Sequence, residues 1–470
     1  MLPVIFGRRI IQMSEKTENP LGTKPLGRLL FSLAFPAIVA NVVNALYNVV
    51  DQIFIGRGVG KLGNAATSVS FPLTTICMAI GLMVGLGASA GFGLELGRGN
   101  NSKARKIAGT AFSSLIICGV IIMLIVKIFL KRLLLFFGSD ADILPYAMDY
   151  SGITAYGIPF LMFSLGANPL VRADRRPIIS MLSILIGSIV NTILDPIFIF
   201  VFDFGIKGAA WATVIGQAIG AIILFVCIPF FRSVKFTPVD FIPKLKWTWV
   251  IIKLGFNSFI FQFSNLLVQV VLNNVLKTYG AKSPYGTVTP LAVAGIVTKI
   301  NVIFIALIIG LINGAQPICS YNYGAQKYLR VRKTVRLFMT AAVIISVVCW
   351  IGFEVFPKQI ISIFGDDGDA MYFEFAVKFM RVNLFTVILN GVQICSATFF
   401  PSIGRALKGA ILSFSKQIVL FIPLLLLLPY LFGLDGVAFA MPVTDVITFA
   451  MSIAFLVHEF KHMPKTDVAV

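Results

Sequence analysis

The chain has 470 residues, of which 58% are hydrophobic and only 13% charged, against about 25% charged in a typical soluble domain. With a mean hydropathy of +0.92, this composition excludes a soluble globular protein and predicts many membrane spans. The net charge of +19 falls in loops between apolar runs, with no nucleic-acid-binding motif beside it, so we read it as a topology signal and expect no nucleic-acid partner.

In chain order, residues 1–27 are polar and lack a small-residue cleavage site after an apolar core, so a cytoplasmic tail is expected and not a signal peptide. Apolar segments follow at about 28–56, 65–96, 103–130, 145–171, 177–202, 205–231, 249–279, 287–322, 329–356, 374–401, 406–432 and 435–460. Alternating strands are absent, so these read as twelve helices and not as a barrel. The basic linker "RSVKFTPVDFIPKLKWT" (232–248) divides them into an N-lobe, 28–231, and a C-lobe, 249–460, with a C-terminal tail at 461–470. Of the 39 Lys and Arg residues, 26 lie in the tails and even-numbered loops and 11 in the odd loops, while Lys299 and Lys416 sit inside spans. The positive-inside bias then predicts that both termini and the linker are cytoplasmic.

The halves repeat. "GLGASAGFGLELGRGNNSKARK" (85–106) lies over "INGAQPICSYNYGAQKYLRVRK" (312–333), which matches Gly87 with Gly314 and Gly97 with Gly324. "DPIFIFVFDFGIKGAAWA" (195–212) lies over "IPLLLLLPYLFGLDGVAFA" (422–440), which matches Gly205 and Gly208 with Gly433 and Gly436. Six-helix halves of the same sense form a parallel repeat, a common plan for transporters with the substrate path between the halves.

Polar residues inside the spans are the candidate site. The first span carries Asn41, Asn44, Asn48 and Asp51 as one stripe at helical spacing, with Tyr47 a turn before Asp51. This stripe is either an amide ladder between helices or the wall of a wet, cation-lined cavity. Asn168 in the fourth span and Thr213 in the sixth are each weak signals alone, as readily packing groups as ligands. The fifth span places Asn191 and Asp195 at i, i+4 on one face, followed by Pro196, which leaves the Thr192 carbonyl without its helical N–H. A carboxylate near the bilayer centre costs about 2.5–3.5 kcal/mol, so an ion or proton site is expected over a packing hydrogen bond. The seventh span offers amides, Gln262, Asn265, Gln269 and Asn273, where the first offers an Asp. Lys299, Lys416 and Asp445 are the charged groups well inside C-half spans, expected either to pair or to line the path. The six cysteines are scattered, and the only histidines are His458 and His462. No metal-ligand spacing and no P-loop appear, so neither a resident metal nor ATP is expected.

"PAIVANVVNALYNVVDQIFIG" (36–56), "NTILDPIFIF" (191–200), "FGIKGAAWATVIGQ" (204–217) and the half-repeat resemble the multidrug and toxic compound extrusion (MATE) family, most closely its MepA-like, DinF-related prokaryotic branch. The resemblance implies an all-α integral membrane protein with twelve transmembrane helices in two pseudo-symmetric six-helix bundles around a V-shaped cleft. It implies a non-enzymatic exporter in the prokaryotic plasma membrane, driving small amphipathic, often cationic compounds outward against H⁺ or Na⁺, without other cofactors and as a monomer. It assigns ion coupling to Asp51, Asn168, Asn191, Asp195 and Thr213; the polar stripes of the first and seventh spans add Asn44, Tyr47, Asn48, Gln262, Asn265 and Gln269 as candidate cavity residues. A flippase for lipid-linked precursors is the alternative, though such proteins usually add helices beyond twelve. The sequence departs from the family at "ADRRP" (173–177), where Arg175 stands in place of the usual glycine, and in its lack of an acid in the seventh span.

Overall fold

A computed structural model describes residues 19–363 and 370–467 and contains helices and no strand among them. The N-lobe comprises α1 (Leu26–Gly58), α2 (Lys61–Gly97), α3 (Asn101–Phe136), α4 (Leu144–Ala173), α5 (Pro177–Pro196) and α6 (Gly205–Cys227). The C-lobe comprises α7 (Leu245–Gly280), α8 (Val288–Gly324), α9 (Tyr328–Val355), a broken α10 (Ala370–Leu384 and Val387–Ser402), α11 (Ala406–Phe414 running on to Phe432) and α12 (Leu434–His462). Ten of these helices are long and apolar enough to cross a membrane, and the two parts of α10, bent by 45°, make an eleventh. The twelfth, α4, buries its small and polar residues, among them Ser151, Gly157, Gly166 and Asn168, against neighbouring helices.

The expected spans are recovered with two refinements. The tenth is not one helix but two, meeting at Phe385–Thr386. Helix α11 passes through a π-helical stretch, Ser415–Phe421, and α5 ends in another, Ile197–Val201. Proline is one cause of such defects, because it withholds an N–H from the ladder. Pro196 immediately precedes the first stretch, and Pro423 follows the second. Repeat mates behave alike: Gly205 and Gly433 both take positive φ, 53° and 61°, where the chain turns into α6 and α12.

Each lobe has its own apolar core, but the first helix of each half crosses over. Leu29, Leu30, Leu33 and Ala34 of α1 belong to the C-lobe core, together with Leu21 just upstream. Reciprocally, Ile251 of α7 is buried in the N-lobe core, with Trp247 packed against it. The segment before α1 is anchored on the C-lobe. The Leu21 carbonyl accepts from Asn322 Nδ2 at 2.9 Å and Arg330 Nε at 3.3 Å, and the Gly22 carbonyl accepts from Lys327 Nζ at 3.2 Å.

The lobes touch along one side only. There α2 runs so close to α7 and α8 that glycine is required. A methyl group on Gly97 would overlap the Tyr321 carbonyl, and one on Gly324 the Leu94 carbonyl; one on Gly87 would overlap the Ile251 carbonyl. Gln316 Nε2 donates to the Leu86 carbonyl across this seam at 3.2 Å. Toward the α1–α2 and α7–α8 loops no inter-lobe hydrogen bond forms among the described residues, and Leu46, Asn48, Asn273 and Asn274 are exposed. The result is a cleft, closed at the basic-loop face and open at the other.

The linker is fastened to the N-lobe. Asp174, fully buried, accepts from the backbone N–H groups of Arg232 and Ser233 at 2.7 and 2.8 Å. Asp240 accepts from Thr237 N and Oγ1, both at 2.7 Å, and pairs with Arg105 Nε at 2.8 Å. Burial opposes the charge on Asp240, but Thr237 and Arg105 hold its carboxyl below the usual range.

Candidate ion-coupling site

Helix α5 presents Asn191 and Asp195 one turn apart, and both are sealed from solvent, at 2% and 0% exposure. Asn191 Nδ2 reaches Asp195 Oδ1 at 3.5 Å and Thr213 Oγ1 of α6 at 3.3 Å. From α1, the half-buried Asp51 brings its carboxyl into side-chain contact with that of Asp195. Tyr47, one turn earlier on α1, lies beside both carboxyls. Tyr150 of α4 lies within electrostatic reach of Asp51, Asp195 and Tyr47.

This cluster has oxygen atoms and few donors. Asp51 Oδ1, Asn191 Oδ1 and Asp195 Oδ2 are buried without a hydrogen-bond partner, and no Lys or Arg pairs with either carboxyl among the described residues. Two bare carboxylates in contact repel, so the arrangement holds together when one carries a proton or a monovalent cation lies between them. Three unpartnered oxygens suit either occupant. Pro196 and the π-turn behind it loosen the backbone next to the carboxyl.

Of the five residues assigned to ion coupling, Asp51, Asn191, Asp195 and Thr213 come together and Asn168 does not. The Asn168 amide donates to the Ser180 carbonyl at 2.8 Å and to Ser183 Oγ at 3.1 Å, and its oxygen accepts from Ser180 Oγ at 2.6 Å. Ser183 precedes Asn191 by eight residues, roughly 12 Å along α5. Asn168 here clamps α4 to the start of α5. Tyr47, expected to line the cavity, stands with the carboxyls instead. Tyr150 was missed because it lies in "AMDYSG" (147–152), where a lone tyrosine among polar residues carries no periodic signal.

The remaining candidates divide. Asn48 Nδ2 donates to the Asn44 carbonyl of its own helix at 2.5 Å, and Gln269 Nε2 donates to Asn273 at 3.0 Å on the open part of α7. Asn265 accepts from Gln417 Nε2 of α11 at 3.0 Å, and Gln262 is half-buried nearby on α7. Lys416 and Asp445 pair at 2.9 Å deep in the C-lobe, as one of the two expected arrangements had it. Lys299 does not join them; it is exposed on α8.

Two six-helix repeats meeting at one membrane face and parted at the other, with a pair of contacting carboxyls in one of them, form the architecture of a membrane transporter built from parallel repeats. The chain belongs to the MatE family, whose profile matches residues 36–197 and 262–427. It is 25% identical over 440 residues to the multidrug export protein MepA of Staphylococcus aureus (strain MSSA476), covering 93% of this chain and 95% of that one. It is 25% identical over 445 residues to MepA of Staphylococcus haemolyticus (strain JCSC1435), covering 94% and 95%. Its fold matches an outward-facing multidrug resistance MATE family transporter of the MOP superfamily with a TM-score of 0.87 at 22% identity, covering 95% of this chain and 98% of that one. A MATE structure in complex with MaL6 gives 0.88 at 20% identity, covering 95% and 99%.

Proposed function

We propose that this protein is a secondary active multidrug exporter that moves small amphipathic, often cationic compounds out of the cell in exchange for H⁺ or Na⁺. The observation that carries this reading is the Asp51–Asp195 contact, with three buried oxygens lacking donors, in a lobe that walls an open cleft. The relatives named as multidrug export proteins support the substrate class. The protein sits in the bacterial plasma membrane as a monomer, with both termini and the 232–248 linker cytoplasmic, as the loop charges favour.

The chemistry of coupling follows from the cluster. A cation arriving from the open side neutralises the repulsion between Asp51 and Asp195. Asn191 and Thr213 then re-aim their dipoles around it. The membrane potential contributes about 2.3 kcal/mol per charge per 100 mV to this inward movement. The loosened end of α5 passes the change to the cleft wall, where a bound organic cation loses its counter-charge and leaves outward.

The test is purified protein in liposomes with Na⁺ and H⁺ gradients imposed separately and a fluorescent cationic dye as cargo. Dye extrusion driven by one gradient, and lost in Asp195→Asn, is the expected result. Lipid scrambling without dye movement would replace the reading with the flippase one.

A further inference from the structure

The C-lobe holds a second buried polar cluster on its own last three helices. Besides Asp51 of its first helix, the N-lobe cluster draws on the fourth, fifth and sixth helices of its half: Tyr150, Asn191 with Asp195, and Thr213. The C-lobe cluster draws on the same three: Asn390 and Gln393 of α10, Lys416 of α11 and Asp445 of α12. All four C-lobe side chains are sealed, at 3%, 4%, 6% and 2% exposure.

The difference lies in what fills the cage. In the C-lobe three oxygens converge on one point: Gln393 Oε1 at 2.6 Å, Asn390 Oδ1 at 2.8 Å and Asp445 Oδ1 at 2.9 Å from Lys416 Nζ. Thr386 Oγ1 donates to the other Asp445 oxygen at 2.9 Å. Two amide oxygens and a carboxylate are hard oxygen donors, the kind that hard metal cations take from a protein. Here the charge is covalently attached, at the end of a lysine that rises from the π-helical stretch of α11. In the N-lobe no Lys or Arg side chain pairs with Asp51 or Asp195 among the described residues. The C-lobe oxygens thus carry their cation on the chain itself.

Resting on the coupling role given above to the N-lobe, we propose that Lys416 is a tethered cation that closes the C-lobe cage to mobile ions and so confines coupling to the N-lobe. Lys416 thus sets how many cations accompany each cycle. Without its ammonium, the Asn390–Gln393–Asp445 cage becomes a binding site for Na⁺ or for a small alkylammonium ion. A bond that merely glues α11 to α12 leaves no such site behind, because its loss is not repaired by a diffusible ion.

The experiment compares wild type, Lys416→Ala and Lys416→Ala/Asp445→Asn, each with and without Asp195→Asn. Melting temperature is read in choline chloride, NaCl and methylammonium chloride at constant ionic strength. Lys416→Ala is expected to melt lower than wild type in choline and to recover by several degrees in methylammonium or Na⁺ at saturation. That recovery persists with Asp195→Asn present and vanishes with Asp445→Asn. If Lys416→Ala unfolds in choline, it is purified in methylammonium and exchanged. Loss of folded protein on exchange that Asp445→Asn prevents is the same result, and loss that Asp445→Asn does not prevent overturns the proposal. So does a Lys416→Ala melting curve unaffected by either ion. Failure of the N-lobe reading shows separately, as wild-type dye efflux in the Asp195→Asn single variant.

Discussion

Gly97 of α2 and Gly324 of α8 are mates in the internal repeat, and they press against each other's helices across the seam between the lobes. The repeat therefore supplies both halves of the contact that closes one face of the cleft. A side chain at either position costs the closed seam about 1–3 kcal/mol by overpacking, enough to shift its population by roughly tenfold. Gly97→Val is expected to expose Ser320, which is fully buried at this seam. A cysteine placed at 320 would then label faster in inside-out vesicles, and unchanged labelling with wild-type efflux would remove the seam from the transport cycle.

The carboxyl pair predicts a separation of binding from coupling. Asp195→Asn and Asp51→Asn each keep the cleft and hence much of the dye affinity, while gradient-driven efflux falls by at least about tenfold, since an amide cannot take up the coupling cation as a carboxylate does and a coupling free energy is typically about 1–3 kcal/mol. Efflux assays and dye binding at matched protein levels check this. Equal losses in both measurements would mean that the pair shapes the pocket and does not couple it.

Asn168 gives a contrasting expectation. Its amide is fully engaged by Ser180 and Ser183, so Asn168→Ala leaves buried acceptors and donors unmatched at a cost of about 1–3 kcal/mol. The melting temperature should fall while the cation requirement of efflux in the surviving protein stays as it was. A changed cation requirement at unchanged stability would return Asn168 to the ion site.

Arg175 holds φ of 66°, and Gly404 holds 82° at the matching turn of the C-lobe, each followed by an arginine. A left-handed non-glycine residue carries about 1–2 kcal/mol of steric cost, so Arg175→Gly is expected to raise the melting temperature by a degree or more. A lower melting temperature would show that the Arg175 side chain more than offsets its backbone.

The linker prediction concerns proteolysis and sidedness. Asp240→Ala removes the partner of Arg105 and the cap on Thr237, so trypsin should cut at Lys235 or Lys244 roughly tenfold faster as local opening becomes easier. A cysteine at 235 should resist a membrane-impermeant reagent applied to intact cells. Efficient labelling there would invert the topology.

The spans and the repeat were legible because hydropathy and glycine placement are periodic along the chain. Asp51, Asn191, Asp195 and Thr213 were legible because a polar group in a membrane span stands out against its neighbours. Tyr150 was not, since tyrosine is common at membrane interfaces and only the folded α4 brings it near the carboxyls. The isolation of Asn168 was equally hidden: serines at 180 and 183 look like ordinary small packing residues until they occupy every polar atom of its amide. Lys299 and Lys416 read alike in sequence, and the helix faces on which they fall separate them.

The reciprocal crossing of α1 and α7 has a mechanical consequence. Leu30 travels with one lobe and Asp51 with the other, about 31 Å apart along a single helix, while Ile251 ties α7 back in the opposite direction. The two bodies are geared like scissor blades with each handle fixed to the other's blade. A twist begun at the carboxyl pair would reach the far lobe as torque, without any contact having to travel through the open cleft.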